Sequence, residues 1–284
     1  MMKKHLPTVA LALVFLLGSG LLLYPSVSDY WNSLHQSKAI AGYVQSVATT
    51  AKERQEQLLA QAREYNRGIR ENGVCFTLSK KALREYRDTL KLDNSDIIGT
   101  IEIRSIGCSL PIYHGTDEAV LQVAVGHLAG SSLPVGGEGT HCVLSGHRGL
   151  PSAKLFSDLN RLEAGDTFVL QTLGETLTYE VESLQIVSPS DTSALMIEDG
   201  ADLCTLVTCT PYGINTHRLL VRGRRVPNSA VLSGRVCAEA LILKRELAAI
   251  LFAVPISLIL LIGLTVSSEI RKRTNEVRKK IGLK

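Results

Sequence analysis

Between Ile97 and Val226 no apolar run goes far before a turn-forming cluster interrupts it. IIGTIEI, CSLPIYHG, THCVLSGH, TFVLQT, LTYEVESLQIV, LCTLVTC and HRLLVRGRRV are rich in β-branched residues and are separated by Gly, Pro, Asp and Ser. β-Branched side chains suit a pleated surface, and the intervening residues supply turns. Seven or eight short strands in about 130 residues predict a closed or nearly closed β-barrel rather than a parallel α/β sheet. Two segments between strands, EAVLQVAVGH and PSAKLFSDLN, are expected to be short helices.

The region before Ile97 has a different texture. Residues 31–71 contain no Pro and two Gly, and Thr50 to Arg67 is dominated by Ala, Gln, Glu, Lys and Arg, which are strong helix formers. Val44, Val47, Ala51, Leu58, Leu59 and Ala62 form an apolar stripe, predicting one or two amphipathic helices. SKKALREYRDTL reads as a further short helix with Ser79 as its N-cap.

Two uncharged stretches stand at the ends, Leu6 to Tyr24 (19 residues) and Leu247 to Val266 (20 residues). Each reaches the roughly 20 residues that a helix needs to cross a bilayer. The net charge of +4 is a property of the flanks. Lys3, Lys4 and the seven Lys and Arg from Arg271 onward supply nine of the 31 basic residues, against only Glu269 and Glu276 of the 27 acids. Residues 5–266 therefore carry 22 basic and 25 acidic groups, which excludes a nucleic-acid-binding surface on charge grounds. Basic flanks stay in the cytoplasm. The expected organisation is a cytoplasmic stub (1–5), a membrane helix (6–24), an extracellular helical region (25–96), the β-barrel (97–226), a linker (227–246), a second membrane helix (247–266) and a basic cytoplasmic tail (267–284). Ser26-Val27-Ser28 offers the alternative of a cleaved signal peptide.

The six cysteines, at 75, 108, 142, 204, 209 and 237, do not form the spacing of a compact disulfide framework. Cys204 and Cys209 are five apart, so a regular strand points them to opposite faces. Cys108, Cys142 and Cys204 sit inside apolar runs and read as small buried hydrophobes. Cys209 ends its run and is followed by the turn signal Thr-Pro-Tyr-Gly, which makes it either an accessible nucleophile or a buried thiol. His147 stands on a loop between Gly146 and Gly149, where a lone histidine is commonly just a solvated group. Arg218 opens the strand after the Cys209 loop, and a hairpin would bring it back toward the thiol. His217 is its neighbour, so on a strand the two point to opposite faces and only one of them can face the thiol. Together a thiol, an imidazole and a guanidinium cover the roles of acyl transfer: nucleophile, proton shuttle and oxyanion donor. Zinc is the rival reading of a Cys and His set, but no closely spaced ligand pair such as C-x2-C is present.

TLVTC followed by His-Arg, with LSGHRG upstream, resembles the sortases, the cysteine transpeptidases of Gram-positive cell surfaces. The longer stretches LPIYHGTDEAVLQVAVGHLAGSSLPVGGEGTHCVLSGHRGLPSAKLFSDLNRLEAGDTFVL and TLVTCTPYGINTHRLLVRGRR resemble their class C, pilus-building branch, over about residues 97–226. The second hydrophobic stretch, residues 247–266, suits that branch. The resemblance implies a mainly β, eight-stranded sortase barrel in a two-pass membrane protein, with Cys209 as nucleophile, His147 as general acid/base, Arg218 as oxyanion stabiliser and His217 as bystander. It implies no cofactor and no metal. The expected partners are pilin or surface proteins bearing an LPxTG-like sorting signal, cleaved between Thr and Gly, and a lysine of another pilin. Two alternatives share part of this pattern: a sortase that anchors proteins to the cell-wall precursor, and a non-catalytic tethered β-domain in which Cys209 is inert. A papain-like peptidase is disfavoured by chain order, since His147 precedes Cys209 by 62 residues.

The sequence departs from the branch in one place. Class C sortases carry a lid with an Asp-Pro-aromatic motif, and RENGVCFTLSKKALREYRDTLKLDNSD has no Asp-Pro pair. Either the lid is absent or Cys75-Phe76 plugs the cleft in another way, and weaker or altered self-inhibition is expected.

Overall fold

The structure is a computed structural model that describes residues 6–92 and 95–228 and a few positions between 263 and 277. Eight strands form it: β1 (Ile97–Ile103), β2 (Cys108–His114), β3 (Val125–His127), β4 (Thr140–Ser145), β5 (Thr167–Thr172), β6 (Glu175–Val187), β7 (Asp202–Thr210) and β8 (His217–Val226). They close in the order β1-β2-β3-β4-β7-β8-β6-β5. The ring is completed by β1 against β5, with Ile101 opposite Leu170. The β2–β3 and β4–β7 pairs are parallel, and the rest are antiparallel.

Alternation sorts the side chains. Cys142 and Leu144 of β4, Cys204 and Leu206 of β7, and Leu219 and Val221 of β8 enter the main core with Phe168 and Tyr179. The Phe168 and Tyr179 rings stack at 5.5 Å between centroids. Gly223 makes room for them, since a Cβ there would lie 2.6 Å from the Phe168 ring. Residues of opposite parity form a separate cluster on the other face, around Val143, Leu195 and Leu220.

Helix α1 (Leu6–Thr49) is continuous through Pro25, and α2 (Lys52–Asn72) follows a bend at Thr50. The expected stripe is buried only in part: Leu58, Leu59 and Ala62 are covered, while Val44 and Ala51 are exposed. The bend resets the helical phase, so no single stripe runs through both helices. Asn66 of α2 grips Leu133, donating to its carbonyl at 3.1 Å and accepting from its amide at 2.7 Å. Tyr43 of α1 links two strands' ends by donating to Ile98 O and accepting from Leu173 N. Helix α3 (Lys80–Asp88) starts where Ser79 Oγ accepts from Ala82 N at 3.2 Å.

Two helix expectations are corrected. EAVLQVAVGH holds only the single turn α4 (Glu118–Leu121) before it becomes β3. PSAKLFSDLN is a series of turns ending in a 3-10 turn at Leu159–Arg161, because Leu155 takes a left-handed φ of 39° that no α-helix accommodates. Among the described residues no helix is long and apolar enough to cross a membrane. The side chains of residues 6–13 and nearly all of residues 247–266 lie outside what is described, as do Cys237 and most of the expected linker and tail.

Candidate active site

Strands β4 and β7 run parallel and in register from Thr140–Asp202 to Ser145–Val207. The alignment continues past the end of β4: Gly146 N donates to Val207 O at 3.0 Å, and Thr208 Oγ1 donates to Gly146 O at 2.8 Å. His147 and Cys209 each come two residues after the last ladder pair, Ser145–Val207. On the other side β8 runs antiparallel to β7, and Cys209 stands directly opposite Arg218. Directly opposed residues of an antiparallel pair present their side chains to one face. His217 is opposite Thr210 and fully exposed, on the alternate face.

The loop carrying His147 is held from below. Gly146 crosses the ring of fully buried Phe156, which would lie 2.7 Å from a Cβ at that position. Phe156 N then donates to His147 O at 3.1 Å. The neighbouring Arg148 ties this loop to the Cys209 loop through Nη1 to Thr210 Oγ1 at 3.2 Å, with its guanidinium 5.9 Å from the Tyr212 ring centroid. His147 Nε2 is buried and lacks a hydrogen-bond partner among the described residues; Glu118 Oε2 of α4 lies 3.6 Å from it. Arg218 Nη1 donates to the carbonyls of Asn215 and His217. A half-buried thiol at the end of β7, an imidazole on the loop after the neighbouring β4 and a guanidinium at the paired position of β8 form a set suited to attack on a carbonyl, proton transfer and oxyanion binding.

The face that bears Cys209 continues down the strands as an apolar floor. Val207 and Leu220 lie two pairs below Cys209 and Arg218, on the same face. Phe76 packs onto this floor among Val143, Val187, Leu195 and Leu128. Its backbone lies so close to the β3–β4 connection that a Cβ on Gly130 would meet Cys75 O at 2.0 Å. The Cys75-Phe76 segment therefore lies against the barrel on this apolar cluster, while Cys75 itself is exposed and bonds to Thr77 O. Residues 188–201 connect β6 to β7 and bring Leu195 into the same apolar cluster. They are anchored by Met196 O to His141 Nδ1 at 2.8 Å and by the ion pair of Glu198 with Arg222 at 2.6 Å. Burial holds the His141 imidazole below its ordinary range, so it serves here as a neutral hydrogen-bonding spacer to Thr205.

Sequence reasoning did not single out Glu118 or the residues that receive Phe76. Both contacts join segments far apart in the chain, and neither leaves a local pattern. A cavity of about 420 Å³ opens at the opposite end of the barrel, lined by Arg63, Arg70, Glu138, Asp202 and Arg225 among others. It lies at the starts of β4 and β7 rather than at their ends. Arg63 is paired with Glu175 and Asp202 faces the space, so it offers no strong field of one sign.

A sortase-domain profile matches residues 101–226. The chain is 34% identical to sortase D of Bacillus subtilis (strain 168) over 142 residues, 49% of this chain and 68% of that protein. The structure is similar to sortase C1 of Streptococcus agalactiae, with TM-score 0.66 and 47% identity over 67% of this chain and 99% of that one. It is also similar to the pilus-related sortase C of group B Streptococcus, with TM-score 0.58 and 35% identity over 66% and 96%.

Proposed function

The chain belongs to the sortase family and is a cysteine transpeptidase, and from that premise we propose that it joins pilin subunits through Cys209, His147 and Arg218. The observation that supports the assignment of residues is the double register: the parallel β4–β7 ladder ends two residues before His147 and Cys209 alike, and Arg218 is the cross-strand partner of Cys209 on the other side. Cys209 attacks the carbonyl between Thr and Gly of an LPxTG-like sorting signal. Arg218 takes the developing oxyanion, and His147 gives a proton to the departing glycine amine. The remaining acyl group stays on Cys209 as a thioester. A lysine amine of another pilin subunit attacks it, the thiol is released, and an isopeptide bond results.

Pilin as substrate is supported by the likeness to the pilus-related sortase C, at higher identity for the S. agalactiae sortase C1 than for the curated sortase D. Placement at the cell membrane, with the barrel outside and both termini in the cytoplasm, is supported by the two apolar stretches and their basic flanks. Helix α1 also leaves Val14, Leu17, Leu21 and Leu22 largely exposed, surface that a bilayer would cover.

The test is to incubate the full chain in detergent with an LPxTG peptide and two amines, a pilin-derived lysine peptide and a cell-wall-precursor-like amine. Mass spectrometry is expected to show the acyl group on Cys209 and a product on the lysine, and neither with Cys209→Ala. Product on the precursor amine alone shifts the reading to surface-protein anchoring. No cleavage, even with Phe76→Ala, overturns it.

A further inference from the structure

Two thiols that take no part in this chemistry face each other inside the barrel. Cys142 of β4 and Cys204 of β7 are directly paired in the parallel ladder. Both are buried, at 2% and 0% exposure, and both are reduced here. They share the inward parity of Leu144 and Leu206, so their side chains enter the same core. Burial pushes both thiols up; their mutual interaction, with His127, brings Cys142 below its ordinary value while Cys204 stays well above its own. Neighbouring strands lie about 4.8 Å apart, within the roughly 4.4–6.8 Å between Cα atoms that a disulfide spans.

The position of the pair in the ladder gives it a purpose. Cys142 precedes His147 by five residues, and Cys204 precedes Cys209 by the same five. In a parallel ladder equal offsets preserve register, so a bond at one pair fixes the other. Five residues also reverse the side-chain parity, which keeps the link in the core and His147 and Cys209 on the cleft face.

We propose that Cys142 and Cys204 are a disulfide site, closed as the barrel folds, which locks β4 to β7 and thereby holds in register the ladder that precedes His147 and Cys209. The oxidant is a disulfide, either a small one or that of a thiol–disulfide oxidoreductase. One cysteine thiolate attacks it and forms a mixed disulfide, expelling a first thiol. The second cysteine attacks the chain-bound sulfur and expels the other. Two electrons and two protons leave the cysteines, and the oxidant departs as two thiols. The exchange precedes closure, because neither sulfur is open to solvent afterwards. Its occurrence in the cell rests on the proposed placement of the barrel outside the membrane.

The experiment folds the full chain with glutathione disulfide, alkylates under denaturing conditions without reductant, and maps the peptides. The expected result is a linked Cys142–Cys204 peptide with Cys75 and Cys209 alkylated. Dithiothreitol should lower Tm by roughly 10 °C in the wild type and leave Cys142→Ala/Cys204→Ala unmoved. Full alkylation of Cys142 and Cys204 after oxidative folding, or a bond from either to another cysteine, overturns the proposal. The wild-type map decides alone if the double variant does not fold. It reads no peptide cleavage, so it stands or falls separately from the transpeptidase assignment.

Discussion

Cys209 and Arg218 are direct cross-strand partners at the adjoining ends of β7 and β8, and His217 is the partner of Thr210 on the alternate face. A guanidinium that binds the oxyanion contributes in the transition state rather than in substrate binding. Arg218→Ala is therefore expected to lower kcat by about 10²–10³ with little change in KM. Arg218→Lys keeps the charge but loses the planar fork, and should recover only part of the loss. His217→Ala should leave kcat near the wild-type value. Single-turnover thioester formation on Cys209 measures all three; equal losses from His217→Ala and Arg218→Ala would refute the division of roles.

Strand parity in the sequence says that only one of two adjacent residues can face the thiol, and the resemblance to the sortases is what selects Arg218. The hairpin joining β7 to β8 was legible too, from two alternating runs around a turn cluster. The parallel pairing of β4 with β7, whose last pair precedes His147 and Cys209, was not: it joins segments separated by 62 residues, and no local pattern encodes which strands pair in parallel. β3 escaped notice because three residues, Val125–His127, carry no period. PSAKLFSDLN carries no signal of its turns: the left-handed φ of Leu155 falls on a residue type that does not mark one, beside Phe156 packed under Gly146.

Phe76 packs against the apolar cluster of Val143, Leu195 and Leu220, on the barrel face that carries Cys209, so the segment that lacks an Asp-Pro pair still covers part of that face. A half-buried aromatic side chain contributes on the order of 1.5 kcal/mol of burial, about tenfold in an equilibrium. Phe76→Ala should lower KM for an LPxTG peptide by roughly that tenfold, with kcat little changed. Removing residues 72–92 is a poorer test, because it also deletes the buried Tyr86, Leu90 and Leu92. An unchanged KM in Phe76→Ala would mean that the peptide binds without displacing this ring.

Tyr86 fixes the base of that segment. Its hydroxyl accepts from Gly115 N at 2.9 Å and bonds to His127, at 2.8 Å to Nδ1 and 3.0 Å to the carbonyl. The ring is fully buried, and burial pushes the phenol far above its ordinary range, so it acts as a neutral hydroxyl at every accessible pH. Tyr86→Phe keeps the shape and orphans a buried amide and an imidazole. The expected cost is about 1–3 kcal/mol in the unfolding free energy, read from urea midpoints. A change within error would show that water replaces the hydroxyl.

His114 abuts the Tyr86 ring edge-on at 4.9 Å, and Thr89 Oγ1 lies 3.5 Å from its Nε2. Burial, reinforced by His127, brings its pKa down to about 4 from 6.5. Below pH 6.5 the unfolded chain binds a proton at this position, while the folded chain does not until about pH 4. The unfolded state holds more protons in that window, so stability falls as pH is lowered through it, by up to about 3 kcal/mol. His141, also lowered by burial, acts in the same direction. Asp202 acts in the opposite one, since burial raises its pKa and the folded state then takes up the proton first. The wild-type slope is the sum of these, and a difference against His114→Gln isolates one part. The variant should be less sensitive to acid between pH 6.5 and 4, and its urea midpoint should converge on that of the wild type as pH falls. Parallel pH profiles for the two proteins would show that His114 is protonated in the folded barrel as readily as in the unfolded chain.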